Sequence, residues 1–541
     1  MLFQVRAGEL VNVSLIEGGQ DVLRHAAIAV CGKEVVKPVL KKLNSCEFDE
    51  GTFPVFWLCL KLWSKMASSE EISEGYLSNA EELVSVAEGG ETNIKILLDQ
   101  LLGLLSQPMK YHRTVVYFVY VHLLSHLKKE HVAHIVETLM MDDEELADGD
   151  GSDGNSSNDD EEMEEDADAE PESENDDDEN IDPETIDRLE SALGKAAVKR
   201  KHDAVDEEES DESEVDDSEM FAMDERLAAA FKAMAPKKEN KVAAQLASAF
   251  RLKLADLLLF TLSSQSTAPQ VKACLIIPLL KLAKLQLKQD AEGQCARKTI
   301  GLLNIVSRLK KIELSDKKVI NLLNELISEG TGISNPTLIA AVAALSAFIF
   351  SLGISSEGTC SEAVLKEFLG LFERFMSQED GLIGCELAIA AVIKHPEFFV
   401  SSANVFLKAG FNDEYRVFRK TEALLCLAGM MSKGVLSKAA IEKSTVKGIA
   451  KASSEYLLAA LAQPETIKPR YFASVMKLLQ CTASSVGDDL KPTLQKHLRM
   501  EEIAENEEAW KNVHKKVNSA CQQVCGKSSA RVIDGILKSV V

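Results

Sequence analysis

The segment from Asp142 to Glu219 limits what this chain can fold into more than any other stretch. It holds 37 Asp and Glu against 5 Lys and Arg, a net of −32, although all 541 residues together carry −26; everything outside it therefore sums to +6. Runs such as Asp159-Asp160-Glu161-Glu162-Met163-Glu164-Glu165-Asp166 offer few apolar groups to offset the entropy of ordering them, and their like charges repel at close spacing. The expected organisation is a disordered acidic segment over 142–218 between two helical-repeat regions, 1–141 and 219–541.

Outside that segment the pattern is helix after helix. The chain is 46% hydrophobic with few aromatic residues, and Leu, Ala, Lys and Glu are prominent, a balance that suits an all-α protein. Asp21 to Leu43 reads as helix interrupted near Pro38. Phe53 to Met66 places Phe56, Leu60 and Trp63 on one face, and Glu91 to Leu105 carries a wide stripe from Ile94 to Leu105. Ser106-Gln107-Pro108 breaks the chain before Thr114–Leu127 and His131–Met140. Beyond the acidic segment, Ser218 is placed to cap a helix whose face is Met220, Met223, Leu227 and Phe231. Val242–Leu262, Val271–Leu287, Ala296–Leu309, Lys317–Ile327, Pro336–Leu352, Glu362–Phe375 and finally Ile533–Val540 follow. Short breaks between helices imply antiparallel neighbours, and helix pairs recurring every ~35 to 45 residues without a sharp consensus imply degenerate HEAT or armadillo-like units stacked as an α-solenoid.

Eleven cysteines, an odd number with no CxxC pair, fit reduced thiols better than a disulfide framework. Cys521 and Cys525, four apart on an expected helix, should face the core. Met1 to Leu10 contains Arg6 and Glu9 and no apolar core, so no secretory signal is expected there. The apolar run Leu338–Leu352 is short of the ~20 residues a membrane crossing needs and reads as a buried helix.

Three stretches resemble the DNA polymerase V / Myb-binding protein 1A family. They are Leu101-Leu102-Gly103-Leu104-Leu105-Ser106-Gln107-Pro108; the exit from the acidic segment, Glu219-Met220-Phe221-Ala222-Met223-Asp224-Glu225-Arg226-Leu227; and Phe250-Arg251-Leu252-Lys253-Leu254-Ala255-Asp256-Leu257-Leu258-Leu259 leading to Ile277-Pro278-Leu279-Leu280. The resemblance spans roughly Ile94 to Lys311. It implies a nucleolar, non-catalytic helical-repeat protein, without cofactor, acting in ribosomal RNA gene transcription, ribosome biogenesis and transcriptional co-regulation. The chain departs from the family pattern in a shorter N-terminal helical region and in ending without a Lys/Arg-rich tail, as a short isoform or partial chain would.

The residues themselves offer little chemistry. Two-metal nucleotidyl transfer needs carboxylates on a rigid scaffold, whereas here they crowd into a segment that cannot be rigid. No phosphate-binding GxxxxGK[ST] loop occurs, and Gly330-Thr331-Gly332 lacks the third glycine of a dinucleotide fingerprint. His112, His122, His126, His131 and His134 cluster in sequence but lack the supporting pattern of a metal site, and read as surface or groove-lining side chains. The run Asp148–Gly154 imitates a calcium loop with its glycine out of register.

Positive charge concentrates between Lys281 and Lys318, where Lys281, Lys284, Lys288, Arg297, Lys298, Arg308, Lys310 and Lys311 form a candidate patch for nucleic acid or for the acidic segment. Lys281, Lys284 and Lys288 share one helix face; the competing reading is an ordinary solvated face. Lys195, Lys199, Arg200 and Lys201 suit either a nuclear-import signal or local charge balance. Ser156, Ser157, Ser173 and Ser213 each precede an acidic residue by three positions and are candidate phosphorylation sites. The function expected is a nuclear binding scaffold for basic proteins such as transcription factors, histones or ribosomal proteins, with direct DNA or RNA contact a further partner class and neither membrane nor small-molecule substrate. The alternative is an importin-like or histone-chaperone-like carrier of basic proteins.

Overall fold

A computed structural model describes residues 3–5, 13–44, 51–89, 94–107, 109–143, 146, 244–289, 293–309, 312, 314–379, 381–437, 439–487, 489–499 and 507–540. Apart from Asp142, Asp143 and Leu146, the acidic segment lies outside them, as does the helix expected from Ser218 to Phe231.

Among the described residues seven helices precede the acidic segment: α1 (Gly19–Cys31), α2 (Lys33–Leu43), α3 (Thr52–Met66), α4 (Glu70–Gly89), α5 (Ile94–Ser106), α6 (Lys110–Leu123) and α7 (Lys129–Met140). After it come α8 (244–263), α9 (Pro269–Ala273), α10 (Ile276–Gln289), α11 (Gln294–Val306), α12 (Asp316–Gly330), α13 (Pro336–Leu352) and α14 (Glu362–Ser377). The series continues through α15 (Cys385–Lys394), α16 (Ala403–Phe411), α17 (Val417–Met430), α18 (Lys433–Leu436), α19 (Lys443–Ala462), α20 (Pro469–Ser485), α21 (Lys491–Leu498), α22 (Glu507–Cys525) and α23 (Ser529–Val540). Two short 3-10 turns, Pro396–Ser402 and Pro464–Thr466, begin on prolines, whose missing N–H costs nothing in a first turn.

The all-α expectation holds for the stack, with one addition. Strands β1 (Phe3–Val5) and β2 (Val13–Leu15) form an antiparallel hairpin, Phe3 opposite Leu15 and Val5 opposite Val13, and β2 packs beside α6. Two helix boundaries also differ from the sequence reading. The break between α1 and α2 is at Gly32, where φ is 89°, a conformation glycine adopts without strain; Pro38 sits inside α2. Conversely, the single helix expected over Val271–Leu287 divides at Cys274-Leu275, because Pro278 near the start of α10 has no N–H to offer the Cys274 carbonyl. Helix α4, for which the sequence reading assigns nothing, buries Tyr76, Ala80, Leu83 and Val86 at helical spacing.

Alternate helices stack in two layers. In one, α13 packs on α15, α15 on α17, α17 on α20 and α20 on α22; in the other, α10 packs on α12 and α12 on α14, and Phe372 of α14 meets Phe406 of α16 at 4.3 Å between ring centroids. The repeat length is visible in the hydrogen bonds between neighbours. Ser346 Oγ donates to Leu387 O over 41 residues, and Ser454 Oγ to Leu498 O over 44. No unit can bury its apolar face alone, so each depends on the next. Helix α13 is deeply set: Asn335 caps it by accepting from the N–H groups of Thr337 and Leu338, and it buries ten residues from Leu338 to Leu352. No helix among the described residues is long and apolar enough to cross a membrane.

The acidic segment interrupts the sequence but not the packing. Tyr117 of α6 donates to Asp256 of α8 at 2.8 Å, the hydroxyls of Tyr120 and Thr261 pair at 2.7 Å, and α7 rests on α10. The tightest approach is at α16–α17, where a Cβ on Gly410 would stand 2.4 Å from Leu424 Cδ2 and 2.8 Å from its Cγ. Gly410→Val should therefore cost about 1–3 kcal/mol through forced overpacking. Hydrogen exchange should show faster opening confined to 403–485 and leave α3–α7 unchanged.

Candidate interaction surfaces

An α-helix leaves its last carbonyls without intrahelical donors, and the aligned peptide dipoles make that end negative. In this stack, cations from neighbouring elements meet many of those carbonyls. Arg251 of α8 pairs with Asp143 and donates to Met141 O just beyond α7. Lys253, also on α8, donates to Leu105 O at 2.9 Å and Gln107 O at 3.0 Å at the end of α5. Lys272 of α9 reaches Ser264 O just past α8. Lys284 of α10 donates to Glu329 O at 2.8 Å in the last turn of α12. Arg419 of α17 donates to Met376 O at 3.0 Å and to Gln378 O, closing the end of α14, with its guanidinium 5.6 Å from the centre of the Phe375 ring. Burial lowers the pKa values of Lys253 and Lys272, yet these carbonyls favour the charged form, so each lysine serves as a clamp.

Three members of the expected basic patch meet carboxylates, and two of these also meet backbone carbonyls, although Lys281 remains exposed. Glu329 takes both Lys284, at 3.0 Å, and Lys281, at 3.7 Å, while Lys298 reaches Asp256 at 2.7 Å and Leu252 O at 3.0 Å. Lys288, Arg297 and Arg308 are exposed, and Lys310 and Lys311 lie outside the described residues. So do Ser156, Ser157, Ser173 and Ser213, the Lys195–Lys201 run and the calcium-like run. The sequence reading missed Arg251 and Arg419 as structural side chains. A signal existed for Arg251: with Leu254 and Leu258 it falls at i, i+3 and i+7 on a stripe where both leucines are fully buried.

A second ionic group surrounds the start of α17. Lys420 pairs with Asp413 at 2.7 Å and lies 5.1 Å from the Tyr471 ring centre, and Glu422 takes Arg470 at 2.7 Å. Desolvation raises the Glu422 pKa, which Arg470 opposes, whereas the Lys420 hydrogen bond lowers that of Asp413.

The histidines do not share one site, and two are not at the surface as expected. His112 is fully buried between Trp63, Tyr76 and Tyr111, with ring centroids 4.6, 5.7 and 4.5 Å away, and its Nε2 pairs with the Tyr76 hydroxyl at 2.9 Å. Burial, with Lys253 nearby, lowers its pKa to about 4. His131 is buried too, its Nδ1 accepting from Lys128 N–H at the start of α7. His134 meets Asp99 at 2.6 Å, and exposed His122 is held by Phe118 O at 2.8 Å. Among the described residues no three His, Cys, Asp or Glu side chains converge as metal ligands. Cys521 and Cys525 face the core as expected, and every described cysteine is a free thiol.

The family model for DNA polymerase phi matches residues 59–260, and the model for Myb-binding protein 1A-like TPR repeats matches residues 267–528. The two abut with six residues between them, at the turn joining α8 to α9. The chain belongs to the Myb-binding protein 1A / DNA polymerase phi family. No curated protein and no solved structure gives a significant match.

Arg419→Ala should leave the Met376 and Gln378 carbonyls without this donor and cost about 1.5–3 kcal/mol, read as faster hydrogen exchange at the α14–α17 contact. For His112, the folded pKa is depressed from an unfolded value near ~6.5, so the unfolded chain binds more protons between about 6.5 and 4. Stability should fall as pH drops through that window and level off below it. His112→Phe should remove that part of the slope in denaturation midpoints measured across the same range.

Proposed function

We propose that this protein is a nuclear and nucleolar binding scaffold without a catalytic role, acting in ribosomal RNA gene transcription, ribosome biogenesis and transcriptional co-regulation. One observation carries the reading: the ordered helices direct many of their cations to one another's C-terminal carbonyls and carboxylates, while the chain also holds a segment with a net charge of −32. The stack supplies shape, and the acidic segment supplies long-range attraction for basic surfaces. Family membership agrees with it.

The partners this arrangement suits are Lys- and Arg-rich nuclear proteins: basic transcription-factor domains, histones and ribosomal proteins. Electrostatic complementarity of this kind speeds encounter and is screened over about 8 Å at physiological salt. A Lys-rich histone tail peptide titrated into the full chain should bind with an affinity that falls steeply between low and physiological salt. Removal of 142–218 should abolish that binding. Unchanged affinity after the deletion would contradict the proposal.

A further inference from the structure

A second concentration of cations lies on the first helix pair, away from the basic stretch in the middle of the chain. Helices α1 and α2 carry Arg24, Lys33, Lys37, Lys41 and Lys42 against Asp21 and Glu34. A cavity of about 760 Å³ opens between them, with Arg24, His25, Lys37 and Lys41 in its lining. Asp21 takes Arg24 at 2.8 Å. Lys37 has its pKa lowered chiefly by Lys33, with Arg24 adding to the effect, so at Lys37 neighbouring cations outweigh the nearby Glu34. The floor is apolar, formed by Ile28, Leu40 and Leu58. Exposed Val22, Val30 and Val35 on the same two helices add apolar surface that the rest of the stack leaves uncovered. A free phosphate would use the rim and ignore the floor; an occupant that is both acidic and apolar uses both.

The chain contains such an occupant. Within the acidic segment, Ile186, Leu189 and Leu193 fall at i, i+3 and i+7, the spacing of anchors that enter a groove together, and Asp182, Glu184, Asp187 and Glu190 surround them against Arg188 and, at the end of the stretch, Lys195. Ile181 and Pro183 open the stretch. Nowhere else between 142 and 219 do three large aliphatic residues recur at helical spacing.

We propose that residues 181–195 dock in the cleft between α1 and α2, with Ile186, Leu189 and Leu193 on the apolar floor and the flanking carboxylates paired with Lys37, Lys41 and Arg24. The tether permits it. From α7 to α1 the path runs through α5, α6 and α3, four helix-to-helix steps of about 8–10 Å, or roughly 40 Å in all. The 40 residues between Met140, the end of α7, and Ile181 reach at most ~130 Å when fully extended. Being tethered, the segment is at an effective concentration that a free acidic peptide must exceed to compete. A consequence is that part of the acidic segment is held on the protein's own surface until a basic partner draws it away.

The test uses the full chain without partner, so its failure is separate from a failure to capture basic proteins. A photo-crosslinking residue at position 189 should give an intramolecular adduct mapped to α1 or α2. That adduct should be lost in the Lys37→Glu/Lys41→Glu variant, two exposed positions whose exchange leaves the core intact, and in Ile186→Ser/Leu193→Ser, which keeps the acidic charge. Adducts mapped to Lys281–Lys318, or adducts unchanged by both double substitutions, would overturn the proposal. So would a cleft that takes up a single-stranded oligonucleotide equally well with and without 142–218, since the segment would then not compete for the site.

Discussion

What holds the stack in register, beyond apolar burial, is the meeting of a cation with the carbonyl end of a helix from another unit. Burial alone is non-directional, and a face of Leu and Phe tolerates sliding by a turn. An ammonium or guanidinium that must reach the last carbonyls of one particular helix does not. Lys253 on the end of α5, Arg251 beyond α7, Lys284 on α12 and Arg419 on α14 each fix one interface in this way. Charge-assisted bonds to groups that would otherwise lack partners are among the stronger polar contacts available.

This use of positive charge bears on function. An extended helical surface rich in lysine looks like a platform for phosphate, yet here Lys281, Lys284 and Lys298 are drawn to Glu329, Asp256 and backbone carbonyls. The surface left open around α10–α11 is correspondingly smaller, with Lys288, Arg297 and Arg308 as its exposed remainder. The cleft between α1 and α2 differs because its Lys37 stands under the influence of Lys33 more than of the nearby Glu34, beside exposed Lys41. A chain with one strongly anionic segment and one compact cationic cleft is prone to bind itself first, and partner binding then becomes an exchange.

Much of the architecture could be read from residues alone. Helix α13 begins where Asn335-Pro336 should begin it and ends with the apolar run, and α3, α5 and α14 lie within a few residues of their expected bounds because their stripes are wide and uninterrupted. The core-facing placement of Cys521 and Cys525 followed from spacing alone. Boundaries failed where two breakers competed: Gly32 ended α1 while Pro38 was absorbed in α2, and Pro278 cut a helix that periodicity alone would have joined. The partners of Arg251, Lys253 and Arg419 were illegible for a deeper reason. Hydrophobic pattern says which face leaves water, and those bonds join residues 41 to 148 positions apart, a pairing set by the stacking geometry.

Site-resolved acylation of lysines in the folded chain, quantified by mass spectrometry, tests that geometry most directly. If cations clamp neighbouring units, Lys284 and Lys298 react markedly more slowly than Lys288, and the difference disappears in denaturant. Equal rates for all three in the folded protein would mean that these side chains are free in solution, and the clamps would not be what sets the register of the stack.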